Sequence, residues 1–149
     1  NLTVLHAIAK RMTLITCHHE QACALAATYY YRVCGRIAPV VVTAGGGSVN
    51  VLTGVVEAHM DGVPLLVIAG NEMSKFLALP ATPTMGFQGF NVVAVATPIT
   101  KAAVRADNPL GAMFALDGLY KTALAHRQGP VLLDLPQNIA AMDLATETA

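Results

Sequence analysis

PVVVTAGGGSVN (residues 39–50) and PLLVIAG (residues 64–70), joined by VLTGVVEAHMDGV (residues 51–63), decide the fold of this chain. Pro39 to Thr43 is a continuous apolar, β-branched run, the pattern of a strand covered on both faces in a parallel sheet. Gly45, Gly46 and Gly47 interrupt it, and Ser48 is placed to cap a helix running to about Met60. Pro64 to Ala69 is a second fully apolar strand, ended by Gly70. Strand, helix and strand in this order make a βαβ unit, whose two strands lie parallel in one sheet.

The same alternation continues in both directions. Towards the N-terminus, the apolar positions Leu2, Val4, Leu5, Ile8 and Met12 have near-helical spacing, Leu14 to Thr16 is a short β-like run, and the Ala-rich stretch Glu20 to Val33 predicts a helix stopped by Gly35. The opening reads as the middle of a helix and lacks an initiator Met, so a short N-terminal piece, and a first strand with it, is expected outside this numbering. Towards the C-terminus, the segment from Asn71 to Gly89 contains Pro80 and Pro83 and has no clear period, as in a long functional loop. A short helix from Asn91 to about Ala96, a strand near Ile99 to Val104, an amphipathic helix from Pro109 to His126 and a last strand from Val131 to Leu135 follow. Only the tail beyond Met142 reads as weakly ordered. The expected architecture is a single α/β domain over residues 1–149 with an ordered core of about 2–140, a mostly parallel sheet between two helical layers.

Composition narrows the function classes. Hydrophobic residues make up 54% of the 149 and charged residues 12%, apolar enough to imply that protein covers part of the outside. Lys plus Arg equals Asp plus Glu at nine each, so net charge recruits neither nucleic acid nor an anionic membrane surface. No apolar stretch reaches the ~18 to 20 residues that span a bilayer. Cys17, Cys23 and Cys34 form no CxxC pair and read as small hydrophobes inside predicted elements, which fits a reducing cytoplasm.

Ligands of such sheets gather at the carboxyl ends of the strands, where helix N-termini present free backbone donors. That singles out Cys17 to Gln21, Thr43 to Asn50, and Gly70 to Gly89. In Cys17-His18-His19-Glu20-Gln21 the two histidines lack the HExxH spacing that puts a metal's ligands on one helical face, so no metal is expected here. GGGSVN lacks both the GxxxxGK[ST] and the GxGxxG patterns of phosphate-binding loops. Met60, Met73, Met85 and Tyr29 to Tyr31 read as core or dimer-surface residues.

In order, the chain carries CHHEQACALAA, VVVTAGGGSVNVLTGVVEAHMDGVPLLVIAGN, GFQGFNVVAVATPITK and QGPVLLDLPQNI. These resemble, in sequence and spacing, the pyrimidine-binding (PYR) domain of the acetolactate synthase-like family of thiamine-diphosphate enzymes, over about residues 2 to 140. The resemblance implies that Glu20 hydrogen-bonds ring nitrogen N1′ of the cofactor's aminopyrimidine and favours the imino form whose exocyclic nitrogen removes the thiazolium C2 proton. A partly buried carboxyl, its pKa raised, would suit this role. By the same resemblance Gly45, Gly46, Gly47 and Asn50 approach the aminopyrimidine, Gly46 standing where relatives have proline. His19, Phe87, Gln88 and Asn71 line the substrate side, Gln88 close to the reacting carbon. Gly89 replaces a residue often acidic in acetolactate synthases, so substrate choice can differ from acetolactate formation. The loop Asn71-Glu72-Met73-Ser74-Lys75 would form a rim facing substrate or a partner chain.

Relatives hold Mg²⁺ and the diphosphate on a separate PP domain through a Gly-Asp-Gly signature, which this sequence lacks; it likewise has no counterpart of their middle domain. The resemblance therefore implies a PYR subunit of a split enzyme, expected as an α2β2 assembly with a PP-domain partner that carries Mg²⁺. The reaction implied is decarboxylation of a 2-oxo acid, pyruvate first, with transfer of the two-carbon acyl unit to a carbonyl acceptor, in natural-product or sugar-nucleotide biosynthesis. A simple decarboxylase of the sulfopyruvate decarboxylase type and a non-catalytic PYR-like scaffold remain alternatives.

Overall fold

The apolar runs become one all-parallel sheet of β1 (Val40–Val42), β2 (Leu66–Asn71), β3 (Ala102–Arg105) and β4 (Val131–Pro136), in spatial order β1-β2-β4-β3. The computed structural model describes residues 2–78 and 85–142. Pro80 and Pro83 of the long loop, and the tail beyond Met142, lie outside the described residues.

Helices cover both faces, giving the three-layer α/β/α arrangement that the sequence predicts. One face carries α2 (Glu20–Cys34), α4 (Leu52–Asp61) and α6 (Val92–Ala96), the other α1 (Leu2–Ala9), α7 (Pro109–Leu124) and α8 (Gln137–Ala141). The period of two along a strand sorts the core. In β2, Val67 and Ala69 pack with Ala24, Ala27, Val55 and Ala58, while Leu66 and Ile68 face Leu119 and Ala123. All six residues of β2 and of β4 are buried, as expected of central parallel strands. Gly35 closes α2 at φ 68°, its N–H donating to Tyr31 O.

Four sequence expectations change. Leu14 to Thr16 forms no strand: Leu14 and Ile15 are 42% and 77% exposed, and no described strand pairs with them. A β-like run without a neighbouring strand gains neither ladder hydrogen bonds nor burial. The helix expected from Ser48 is two, α3 (Gly46–Asn50) and α4, meeting at Val51. Its N-cap is Gly45, and the Ser48 hydroxyl turns back to donate to Thr43 O at 2.7 Å. Ile99 ends a 3₁₀ turn (Thr97–Ile99) opened by Pro98, so β3 begins only at Ala102. Cys17 and Cys34 are exposed and Cys17 lies in no element, so only Cys23 approaches the buried character expected of all three. The short helices α5 (Ser74–Leu77) and α8 are additions the sequence reading did not contain. Among the described residues no helix is long and apolar enough to cross a membrane.

Candidate active site

The carboxyl end of β1 and the N-terminus of α2 meet at Glu20. His19 caps α2 in extended conformation, its Nδ1 accepting the Gln21 N–H at 3.2 Å, so Glu20 occupies the first helical position. From the end of α3, Asn50 Nδ2 donates to Glu20 Oε2 at 3.1 Å. Between them runs the glycine loop. A Cβ on Gly47 would stand 3.1 Å from Glu20 Oε1 and 2.8 Å from Thr43 Cγ2, so only a bare backbone fits against this carboxyl. Gly45, at φ 67°, meets the second loop: its Cβ would lie 2.8 Å from Gln88 O. Gly46 has open space around it and starts α3, a position where proline is also well accommodated.

Electrostatics at Glu20 differ from the sequence expectation. Its carboxyl lies below the usual range, chiefly through the hydrogen bond from Asn50, then through its own backbone N–H, with the slight burial opposing. The slight burial does not raise it, because in this chain the group is largely open to solvent. Cys23 beside it is pushed up to about 11 by burial first and by Cys17 second, which keeps its thiol protonated and unreactive.

Phe87 is 91% exposed and Gln88 is exposed, with the Gln88 N–H donating to Glu72 Oε1 at 3.2 Å. The Gln88 carbonyl packs against Gly45 of the glycine loop whose Gly47 stands beside Glu20. Asn71 is placed otherwise. It is buried at the end of β2, its Nδ2 donating to Phe90 O and to both oxygens of Asp134 at 2.9 and 3.1 Å, its Oδ1 accepting the Glu72 N–H.

Asp134 and Arg105 were absent from the sequence candidates. Register sets Arg105 of β3 directly beside Asp134 of β4, and the Arg105 Nε donates to Asp134 Oδ2 at 2.6 Å. Burial pushes the Asp134 carboxyl up, against the opposing bonds from Arg105 and Asn71. The legible signal was a lone acid within the apolar run VLLDLP, a charge that a buried strand tolerates only with a partner. Arg105 Nη2 is also buried, without a hydrogen-bond partner.

Among the described residues no group of three or more His, Cys, Asp or Glu is placed to hold a metal ion. The groups brought together are an acceptor carboxylate, an amide that orients it, and glycine backbone packed closely against Glu20, Thr43 and Gln88.

Residues 1–95 match the family described as "Thiamine pyrophosphate enzyme, N-terminal TPP binding domain". Over 126 residues, 85% of this chain, it is 33% identical to the acetolactate synthase large subunit of Corynebacterium glutamicum, covering 19% of that protein. It is 35% identical over 127 residues to the corresponding subunit of Parasynechococcus marenigrum, and 30% over 125 residues to the isozyme 2 large subunit of Escherichia coli. These matches cover 84% of this chain each and 19% and 22% of the relatives respectively, so the chain spans about a fifth of their length. With Glu20 and its glycine loop at the strand ends of a parallel α/β/α sheet, the chain belongs to the thiamine pyrophosphate enzymes, as a cofactor-binding PYR domain related to that of acetolactate synthase.

Proposed function

We propose that this chain is the PYR subunit of a split thiamine-diphosphate enzyme that decarboxylates a 2-oxo acid, pyruvate first, and joins the two-carbon unit to a carbonyl acceptor. The observation that carries the reading is the Glu20 carboxyl, oriented by Asn50 and with its Oε1 beside the Gly47 backbone. Thiamine diphosphate, whose aminopyrimidine edge Glu20 and Asn50 would hold, would supply a nucleophilic carbon and an electron sink for decarboxylation. Glu20 would hold the proton shared with ring nitrogen N1′; Asn50 fixes the rotamer that aims it there. Gly45 and Gly47 let the loop backbone close onto Gln88 and onto Glu20 with Thr43, and Gln88, with Phe87, would orient the acid's carboxylate or carbonyl without adding charge beside the reacting carbon.

A proton-sharing carboxyl needs less water than Glu20 has in this chain, and a neighbouring surface can exclude it. Away from Glu20 along the same helical layer, Tyr29 and Val33 of α2, Val49 of α3, and Val56 and Met60 of α4 are all exposed. Apolar side chains left outward on two packed helices support a covering protein partner. We assign that cover to a PP-domain chain, carrying the diphosphate and Mg²⁺, in an α2β2 assembly in the cytoplasm. Mixing this chain with candidate PP-domain chains, thiamine diphosphate and Mg²⁺ tests the proposal through CO₂ release from pyruvate and analysis of the coupled product. Release that requires both chains and disappears in Glu20→Gln supports it; equal release by Glu20→Gln contradicts it.

A further inference from the structure

Glu72 follows β2 directly, with its backbone N–H held by Asn71 Oδ1 at 3.0 Å, so its root is fixed to the buried end of the sheet. Its side chain reaches into the turn between Met85 and Gly89, which closes on itself through the Gly89 N–H to Met85 O bond at 3.1 Å. Two glycines make room for it. A Cβ on Gly86, at φ 74°, would sit 3.0 Å from Glu72 Cγ and Cδ, and one on Gly89 would sit 2.8 Å from Glu72 Cγ. At the centre of the turn, Glu72 Oε1 accepts the Gln88 N–H at 3.2 Å. On its opposite side the Gln88 carbonyl abuts Gly45, 2.8 Å from where a Cβ would be. The Gln88 backbone is therefore located twice, by Glu72 at its N–H and by the glycine loop at its carbonyl.

We infer that Glu72 is a positioning residue: it sets where Gln88 and Phe87 stand relative to Glu20, and so shapes the substrate side of the cleft, an inference that rests on the function proposed above. A charge-assisted bond to an amide, flanked by the two glycines of the turn, fixes backbone more firmly than a neutral contact. Among the described residues no hydrogen bond or ion pair joins Glu72 to Glu20, so it should leave cofactor activation alone and act on substrate.

The test has two arms. In this chain, Glu72→Ala should speed amide deuterium exchange at Gln88 by about tenfold, while Glu72→Gln, whose side-chain carbonyl still accepts, stays near wild type. In the enzyme assembled with its PP-domain chain, Glu72→Ala should raise KM for the 2-oxo acid by about tenfold and leave cofactor C2 proton exchange at the wild-type rate. Gly89→Ala, which opens the same turn with Glu72 intact, should reproduce the KM change and serves where Glu72→Ala fails to fold. Unchanged Gln88 exchange in Glu72→Ala, or a wild-type KM in both Glu72→Ala and Gly89→Ala, overturns the inference. An assembled wild type with no C2 exchange would instead remove the cofactor reading, and the Gln88 arm would still decide whether Glu72 holds the turn.

Discussion

Glu20 and Asp134 both lie at the carboxyl edge of one sheet, one at the corner by β1, the other within β4. Glu20 opens on solvent, with one side-chain donor, Asn50, and a carboxyl held below its ordinary range. Asp134 is fully buried, accepts from Arg105 and twice from Asn71, and has its carboxyl pushed up by burial. The difference teaches which acid is free to act. Asp134 has spent its acceptor capacity inside the fold, tying β2, β3 and β4 together; Glu20 keeps an oxygen beside bare glycine backbone, the one the proposed function assigns to the cofactor.

The contrast breaks most visibly at the sealed end. Asp134→Ala leaves the Arg105 guanidinium, with a side chain only 26% exposed, facing an empty place. Removing one member of a buried pair costs about 3 kcal/mol or more, and urea unfolding at neutral pH should show a loss of this order. A loss below about 1 kcal/mol, the range of exposed ion pairs, would mean that the network is not structural.

At the open end the sensitive position is Gly47. An added methyl must displace Thr43 Cγ2 or the Glu20 carboxyl. Gly47→Ala should therefore cost about 1–3 kcal/mol of stability, read by thermal unfolding, and should move the Glu20 carboxyl resonance in an NMR spectrum. An unmoved resonance would show that the backbone yields there.

Acid sharpens the comparison, because the two carboxyls titrate with opposite sign. For Glu20 the folded pKa is the lower one, so its contribution is present above the unfolded value of about 4.3 and is lost as pH falls through the folded value. For Asp134 the folded pKa is the higher one, so the folded state takes up its proton first and the cost of ionising Asp134 fades as pH falls through that value towards about 3.9. Across denaturation series from neutral to acid, wild type should lose ground to Glu20→Gln and gain ground on Asp134→Asn. Parallel curves for the two pairs would contradict the assignment.

The smallest effect is expected next door to the largest constraint. Gly46 has open space where a side chain would go and no positive φ, so Gly46→Ala should be neutral or stabilise by up to about 1 kcal/mol through the unfolded chain. Thermal unfolding separates it from Gly47→Ala. A destabilised Gly46→Ala would show that the loop is tighter than its geometry implies.

The sequence disclosed those parts of the molecule that obey one local rule. The runs at Val40, Leu66 and Val131 are too apolar to be anything but buried strands, and Gly45 to Asn50 could be read as a strand-to-helix loop open to a ligand. Where the reading missed, two distant segments decide. Leu14 to Thr16 has the composition of a strand, but pairing is a property of neighbours. The Glu20 carboxyl was expected to be partly buried, with its pKa raised; its environment is set instead by Asn50, thirty residues away. Asn71 looks like a rim residue from its place after a strand, yet the β2–β4 register turns it onto Asp134. Arg105 and Glu72 are ordinary charges in sequence and acquire meaning only from what the fold puts against them.

All of this turns on whether the open carboxyl addresses the cofactor. The most direct measurement is deuterium exchange at C2 of thiamine diphosphate bound to the assembled enzyme, followed by NMR in wild type and Glu20→Gln. Loss of a positioned acid–base group should slow that exchange by about 100-fold or more, with cofactor still bound. Exchange at the wild-type rate in Glu20→Gln would contradict the assignment.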